Sequence, residues 1–308
     1  MSENDFSLRV GNTIHQLSEQ GTYNLVCHEH KLGEPMPSIF KISRIIELIR
    51  EIIFPGYFGN TSLRPNTIQH YMGVYVDELF ELLSGEILAG LCFECTDESG
   101  NKVEKHAEKA KELALGLIEY LPEIRRKMVN DVKATYLGDP AALSYGEVIF
   151  CYPGIRAITN YRVAHRLIEL TVPLLPRYIS EMAHSETGID IHPEARIGEF
   201  FTIDHGTGVV IGSTCIIGDN VKIYQGVTLG AKSFELDEQG NPVKGVPRHP
   251  IVEDNVVIYA GATILGRITI GRNSVIGGNV WVTRSLPEGS KVVQGKPKDH
   301  NFTDGAGI

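Results

Sequence analysis

Residues 252–282 read VEDNVV-IYAGAT-ILGRIT-IGRNSV-IGGNVW-V, in blocks of six that each open on valine or isoleucine. Val252, Ile258, Ile264, Ile270, Ile276 and Val282 hold these places. The same period runs upstream through Ile191, Ile197, Ile203, Val209, Cys215, Val221 and Val227, until a polar insertion over residues 232–250 interrupts it. Twelve of these thirteen positions carry a β-branched aliphatic and one a cysteine, so the period reports structure rather than composition. Small residues often stand two places earlier (Ala195, Thr207, Ser213, Ala262, Ser274), and glycine often follows directly (Gly198, Gly271, Gly277). A helix turns about 100° per residue, so a repeat of six would scatter around its axis. A flat strand does not require the recurring small residue and glycine. A triangular β-solenoid explains both: each hexad forms one short side and one corner, and three hexads close a coil. The aliphatic enters the narrow core and glycine eases the corner. Coils bury their apolar faces only on one another, so several must stack; thirteen hexads make about four coils.

Working outward from the repeat, the sequence before residue 186 has a helical period. Ile39, Ile42, Ile45, Ile46 and Ile49 alternate with Lys41, Arg44, Glu47 and Arg50, which marks one apolar face of an amphipathic helix. Further helices are expected over 67–83 and 103–133, the second burying Leu113, Leu117, Ile118 and Leu121, with Pro122 kinking or dividing it. Asp139-Pro140-Ala141-Ala142 has the form of a helix start, with Asp as N-cap and Pro at the first helical position. A last helical pair is expected over 155–169 and 174–184, parted by Pro173. The fold class is therefore α+β. An α-helical N-terminal domain occupies residues 1–186, a parallel β-solenoid residues 187–290 with its loop insertion at 232–250, and a tail residues 291–308.

Composition narrows the function classes. The 308 residues suit about two domains. With 29 basic and 38 acidic residues the formal net charge is −9, which argues against a nucleic-acid or basic membrane-surface binder. A hydrophobic fraction of 42% excludes global disorder, and the 32 glycines lack the three-residue period of collagen. The N-terminus MSENDFSLRVGNTIHQLSEQ has no apolar core of a secretory signal, and no stretch is long enough to span a bilayer. Five cysteines do not form a disulfide framework; Cys92 and Cys95 make one C-x-x-C without a second pair, which reads as reduced thiols rather than zinc ligands. The cytoplasm is the expected compartment.

One histidine stands out within the repeat. His205 takes the third place of the hexad that starts at Ile203, where the corresponding places at 211, 217, 223 and 229 hold Ile or Leu. An imidazole with a free pKa of about 6.5 can serve as base and then as acid in an acyl transfer. The repeat alone is met equally by a hydrogen-bonded interface histidine.

A series of ordered motifs resembles the serine O-acetyltransferases within the hexapeptide-repeat acyltransferase superfamily. They are Asp139-Pro140-Ala141, Tyr152-Pro153-Gly154, Tyr161-Arg162-Val163-Ala164-His165, Asp190-Ile191-His192-Pro193, Asp204-His205-Gly206-Thr207-Gly208, Gln225-Gly226-Val227-Thr228-Leu229-Gly230 and Arg248-His249-Pro250. Together they cover about residues 130–297. The resemblance implies a left-handed parallel β-helix assembled into trimers or a dimer of trimers, with the active site between neighbouring solenoids. It implies acetyl transfer from acetyl-CoA to the hydroxyl of L-serine, the first step of cysteine biosynthesis, without a metal. By the same resemblance His205 is the general base, Asp190 orients it, Arg248 and His249 hold the substrate carboxylate, and Asp139 and Asp204 hold its ammonium. Asp139 also suits a helix cap, and one carboxylate can do both jobs; the plainer reading of Asp190 is a turn residue before the first coil. Ala260, Gly261 and Gly278 match positions where the pantetheine arm approaches, and Lys296 or Lys298 could meet phosphate or be solvated surface. The terminal Ile308 matches the residue through which family members bind O-acetylserine sulfhydrylase; a free tail is the plainer alternative.

Three departures bear on the pocket. Ser213 stands where the family commonly has Glu, Pro247 where Asp or Gly is more usual, and the loop over 232–247 is longer, with Glu235, Asp237 and Glu238. Other acceptors on the same fold, such as another amino acid or hydroxyl compound, stay open. A zinc hydratase would need three His ligands; His184, His192, His205 and His249 are available but lack ligand spacing. A weakly active partner that regulates the sulfhydrylase is the third alternative.

Overall fold

The computed structural model describes residues 3–28, 35–59, 63–94 and 102–295. Each hexad side is a strand of two or three residues. In the first coil these are β1 (Asp190–Ile191), β2 (Arg196–Ile197) and β3 (Thr202–Asp204); in the second, β4 (Val210–Ile211), β5 (Ile216–Ile217) and β6 (Lys222–Tyr224). The third holds β7 (Thr228–Gly230), β8 (Ile251–Val252) and β9 (Val257–Ile258), and the fourth β10 (Thr263–Leu265), β11 (Thr269–Ile270) and β12 (Val275–Ile276). The fifth holds β13 (Trp281–Val282) and β14 (Lys291–Val292). Strands pair in parallel from coil to coil and build three sheets: β1-β4-β7-β10-β13, β2-β5-β8-β11 and β3-β6-β9-β12-β14. All thirteen hexad aliphatic and cysteine positions are buried.

Two features of the solenoid differ from the count of hexads. There are about five turns rather than four. In the last one Leu286 bridges to Ile270 and Val292 stacks on Ile276, each a step of 16 residues, so the chain has left the six-residue phase. The second difference concerns His205. Ile191 pairs with Ile211, a step of 20, whereas Ile211 pairs with Leu229, a step of 18. The two additional residues lie in the turn between β3 and β4. Before that turn the six-residue series marks the strand positions Ile191, Ile197 and Ile203. After it the series marks Val209, Cys215, Val221 and Val227, two places ahead of the strand positions Ile211, Ile217, Ile223 and Leu229. Both kinds of site are buried and mostly aliphatic, so an unbroken period conceals the slip. His205 is thus no counterpart of Ile211 or Ile217; it occupies an inserted turn.

The helices are α1 (Glu3–Leu17), α2 (Gln20–Tyr23), α3 (Ile39–Ile53), α4 (Ile68–Glu94), α5 (Lys102–Ile118), α6 (Leu121–Gly138), α7 (Tyr145–Cys151), α8 (Pro153–Glu169) and α9 (Leu175–Thr187). Contacts divide the chain into a unit of residues 1–35, which holds α1 and α2, and one of residues 36–308. In the larger unit, α3 buries Ile42, Ile45, Ile46 and Ile49 as its spacing requires. Helix α4 runs beyond residue 83 because Ile87, Ala89 and Cys92 keep it in the core. Pro122 divides the third expected helix by starting α6. Asp139 is not an N-cap. It closes α6, and its Oδ1 accepts the Ala141 N–H at 2.8 Å in a single turn that Pro140 does not extend. The next helix starts later, capped by Ser144.

Helices α6 and α8 are fastened to the first coil. Tyr161 donates its hydroxyl to the Ala195 carbonyl at 2.6 Å and accepts the Ile197 N–H at 3.1 Å. Gly154 lies so close to the Ile203 carbonyl that a Cβ would fall on that oxygen, which explains the glycine of the Tyr152-Pro153-Gly154 motif. Arg162 and Asp131 form a buried two-pronged ion pair, at 2.7 and 3.0 Å. Helix gives way to strand between Thr187 and Asp190. No helix among the described residues is long and apolar enough to cross a membrane. Cys92 and Cys215 are buried free thiols and Cys27 and Cys151 exposed ones; Cys95 lies outside the described residues.

Candidate active site

Each coil enters the first sheet by one turn and leaves it by the next, and the candidate residues divide between these two edges. On the entering edge, Asp204–Gly208 forms the inserted turn. His205, Gly206 and Gly208 take left-handed conformations, with φ of 56°, 87° and 79°. Glycine is needed at 206, where a Cβ would collide with Ile189. The turn pushes His205 outward, leaving its side chain 73% exposed with Nε2 3.8 Å from Asp204 Oδ1. Asp204 Oδ2 meets Lys222 Nζ at 3.2 Å, and Lys222 also donates to the Gly138 carbonyl at 2.8 Å.

Asp139 arrives at the same place from the end of α6. Asp139, Asp204 and Lys222 line one small crevice. Tyr152 donates its hydroxyl to Asp139 Oδ2 at 2.6 Å. This bond, then the Ala141 N–H, holds the Asp139 carboxyl below its ordinary range, and the nearby Lys222 and His205 act in the same direction. The same carboxylate pushes the Tyr152 hydroxyl up to about 12. Below His205 the turns of successive coils form a column. Gly226 N–H bonds to the Thr207 carbonyl, Gly261 N–H to Gln225 and Asn279 N–H to Ala260, all at 2.9 Å. Ala260, Gly261 and Gly278 therefore lie on the same edge as His205. Lys296, Lys298 and Ile308 lie outside the described residues.

Asp190 lies in the first coil, on the side of the His205 turn away from that column, its N–H bonded to the Val209 carbonyl at 2.9 Å. Its carboxylate gathers with Glu181 and His184 of α9, with ligand atoms within 4.8 Å of one another. Glu181 also pairs with Arg177 at 2.5 Å. Among the described residues no hydrogen bond or ion pair joins Asp190 to His205.

Arg248 and His249 lie on the leaving edge. Thr214 organises them: its Oγ1 accepts the N–H groups of Arg248 and His249 at 2.9 and 3.0 Å. Thr214 N–H donates to His249 Nδ1 at 3.1 Å, so Nδ1 is an acceptor and Nε2 carries the proton of the neutral ring. Burial, followed by the charges of Arg248, His192 and Arg267, lowers the His249 pKa from 6.5 to about 4. The ring rests on Gly212, where a Cβ would fall within the imidazole. A groove of about 860 Å³ opens beside this edge between α6, α8 and the second sheet; its walls include Ser213, Thr214 and Arg267 but none of His205, Asp190, Asp139 or Asp204. Its size does not make it the reacting centre.

A family model described as bacterial transferase hexapeptide (six repeats) matches residues 249–284. Over 276 residues, 89% of this chain and 86% of the relative, the sequence is 51% identical to the plasmid serine acetyltransferase of Synechococcus elongatus. The chain belongs to the serine acetyltransferase family. This is a family of acyltransferases. Among solved serine acetyltransferases, serine acetyltransferase 1 of Entamoeba histolytica in complex with L-cysteine has a TM-score of 0.71 at 34% identity, covering 92% of this chain and 99% of that one. The Neisseria gonorrhoeae serine acetyltransferase in complex with serine has a TM-score of 0.53 at 27% identity, covering 82% and 97%. The fold is accordingly a helical region followed by a left-handed β-helix of hexapeptide repeats.

In this serine acetyltransferase family member, sequence reasoning missed Tyr152, Lys222 and Thr214. Tyr152 stood in a quoted motif with no role, and the other two lay in repeat positions where partners 18 to 84 residues distant leave no local signal.

Proposed function

We propose that the chain transfers the acetyl group of acetyl-CoA to the hydroxyl of L-serine, giving O-acetylserine and CoA in the first step of cysteine biosynthesis. His205 takes the hydroxyl proton as the serine oxygen attacks the acetyl carbonyl carbon. The tetrahedral intermediate collapses with cleavage of the carbon–sulfur bond, and the imidazolium returns its proton to the departing sulfur. Asp190 orients the ring and stabilises its charged form. Asp139 and Asp204 face the ammonium, and Arg248 with the neutral Nε2–H donor of His249 receives the carboxylate. One imidazole serves as base and acid, so no metal enters the proposal. The pantetheine arm would follow the column of turns at Gly226, Ala260, Gly261 and Gly278.

The observation that carries this function is the exposed His205 on its inserted turn, beside two carboxylates and at the head of a column of backbone turns. Arg248 and His249 stand on the opposite edge of the same sheet, and this supports a site completed by a neighbouring copy. A homotrimer, or a dimer of trimers, would bring the leaving edge of one solenoid to the entering edge of the next. The proposed compartment is the cytoplasm, with O-acetylserine sulfhydrylase as a partner through Ile308. The test is thiol release from acetyl-CoA with and without L-serine, run beside homoserine and related acceptors. L-serine should give the highest kcat/KM, and His205→Ala should lower kcat by roughly two to four orders of magnitude with folding intact. Near-normal turnover of the variant would remove His205 as the base, and preference for another acceptor would reassign the substrate.

A further inference from the structure

The loop over 232–247 has no role in the proposed reaction, yet it is built around Arg248, which does. Its loop is braced by a Leu236–Pro242 bridge, by the Val243 N–H on the Glu235 carbonyl at 2.8 Å, and by Asp237 Oδ1, which accepts the N–H groups of Gln239 and Asn241. At the base of this loop the ring of Phe234 stands over the Arg248 guanidinium, 5.5 Å from centroid to central carbon. Phe234 remains 59% exposed, so burial is not what holds it there. Arg248 Nε is buried without a hydrogen-bond partner among the described residues, and no carboxylate among them forms an ion pair with this arginine. Lys232, Phe234, Glu235, Arg248 and Arg267 line a cavity of about 190 Å³. Arg267 already donates to the Thr214 and His249 carbonyls at 2.7 and 2.9 Å, which leaves Arg248 as the cation available to a ligand on this wall beside Lys232.

We infer that Phe234 is a positioning residue for the substrate carboxylate: its ring face holds the Arg248 guanidinium ready to receive it. An arginine free in solvent loses rotamer freedom when it grips a carboxylate, and a ring that orders the guanidinium beforehand reduces that loss. The lengthened insertion thereby supplies a contact to the acceptor site. This inference rests on the assignment of Arg248 to the carboxylate, and the experiment separates the two.

Steady-state kinetics on the full chain would compare Phe234→Ala, Phe234→Leu, Phe234→Tyr and Arg248→Ala. The Ala and Leu variants at 234 should raise the KM for serine about 2- to 5-fold, the range of an exposed cation–π contact, while Tyr keeps it within about 2-fold of the parent. The rise should be confined to serine, with kcat and the KM for acetyl-CoA holding. If Arg248→Ala raises the serine KM and Phe234→Ala does not, the inference is overturned and the role of Arg248 stands. If Leu restores what Tyr restores, the contact is apolar packing and the inference is overturned. A joint rise in both KM values assigns Phe234 a general structural role and overturns it too. An unchanged serine KM in Arg248→Ala removes the underlying assignment, and the inference with it.

Discussion

Replacing Arg162 by methionine should cost about 3–5 kcal/mol of folding stability, because it breaks a buried ion pair by removing one partner. Asp131 has no exposed side-chain surface and Arg162 only 4%. The guanidinium donates to both carboxylate oxygens and, at 2.8 Å, to the Gly198 carbonyl, while the Phe201 N–H reaches Asp131 Oδ1 at 3.0 Å. The group therefore ties α6, α8 and the first coil together. Burial pushes the Asp131 carboxyl up, opposed by the Arg162 charge and its hydrogen bonds. Without Arg162 the carboxylate keeps one backbone donor and the Gly198 carbonyl loses a partner. Typical domains have about 5–15 kcal/mol in total, so about a fifth or more is at stake.

Asp131→Asn in the same background removes the stranded charge and keeps an acceptor for Phe201. The double variant should regain about 1–3 kcal/mol relative to Arg162→Met alone. There is also a pH signature. In Arg162→Met the folded carboxyl binds its proton more readily than the unfolded one, so the variant's deficit should be smaller near about pH 5 than near about pH 8. Urea unfolding at fixed protein concentration, followed by far-ultraviolet circular dichroism, reads all three. The single tryptophan, Trp281, is 71% exposed in the last coil and would report poorly on this junction. A loss below about 1 kcal/mol in Arg162→Met, or a double variant less stable than the single, would refute the reasoning.

Gly212→Ala should displace the His249 ring and raise the serine KM about tenfold, equivalent to losing about one to two hydrogen bonds to the carboxylate; parental kinetics would show that the ring can relocate without consequence. The depressed pKa of His249, from 6.5 to about 4, also has a stability consequence. Within that window the unfolded chain binds the proton and the folded chain resists it, so this contribution is present above the upper value and lost as pH falls toward the lower. His249→Asn, whose side-chain oxygen can accept the Thr214 N–H, should flatten the decline in unfolding midpoint between about pH 7 and about pH 5. His192, which burial also lowers, remains to give a residual slope, and an unchanged slope would count against the assignment.

Much of the architecture was legible because a solenoid is written locally. Each side of a coil needs its aliphatic and each corner its small residue, so Val252 through Val282 state the fold without reference to distant sequence. The helices of the larger unit were legible for the same reason, from the isoleucines of α3 to the proline that starts α6. Asp139 misled because Asp followed by Pro signals a helix start by local propensity, whereas the carboxylate is committed to Tyr152 thirteen residues away. The inserted turn at His205 escaped the period because the positions on either side of the slip are both aliphatic.

What the sequence by itself determined is the repeat, the order of the motifs and the chemical types at the candidate site. Only the tertiary structure decided which of them meet. It gathered Asp139, Asp204 and Lys222 at one crevice, put Thr214 under His249, gave Asp190 the company of Glu181 and His184, and set His205 and Arg248 on opposite edges of one sheet. The physical reason is that a stacked coil brings together residues 16 or more positions apart, and an insertion of any length changes which ones. Local periodicity specifies a coil, but only the stack specifies its neighbours.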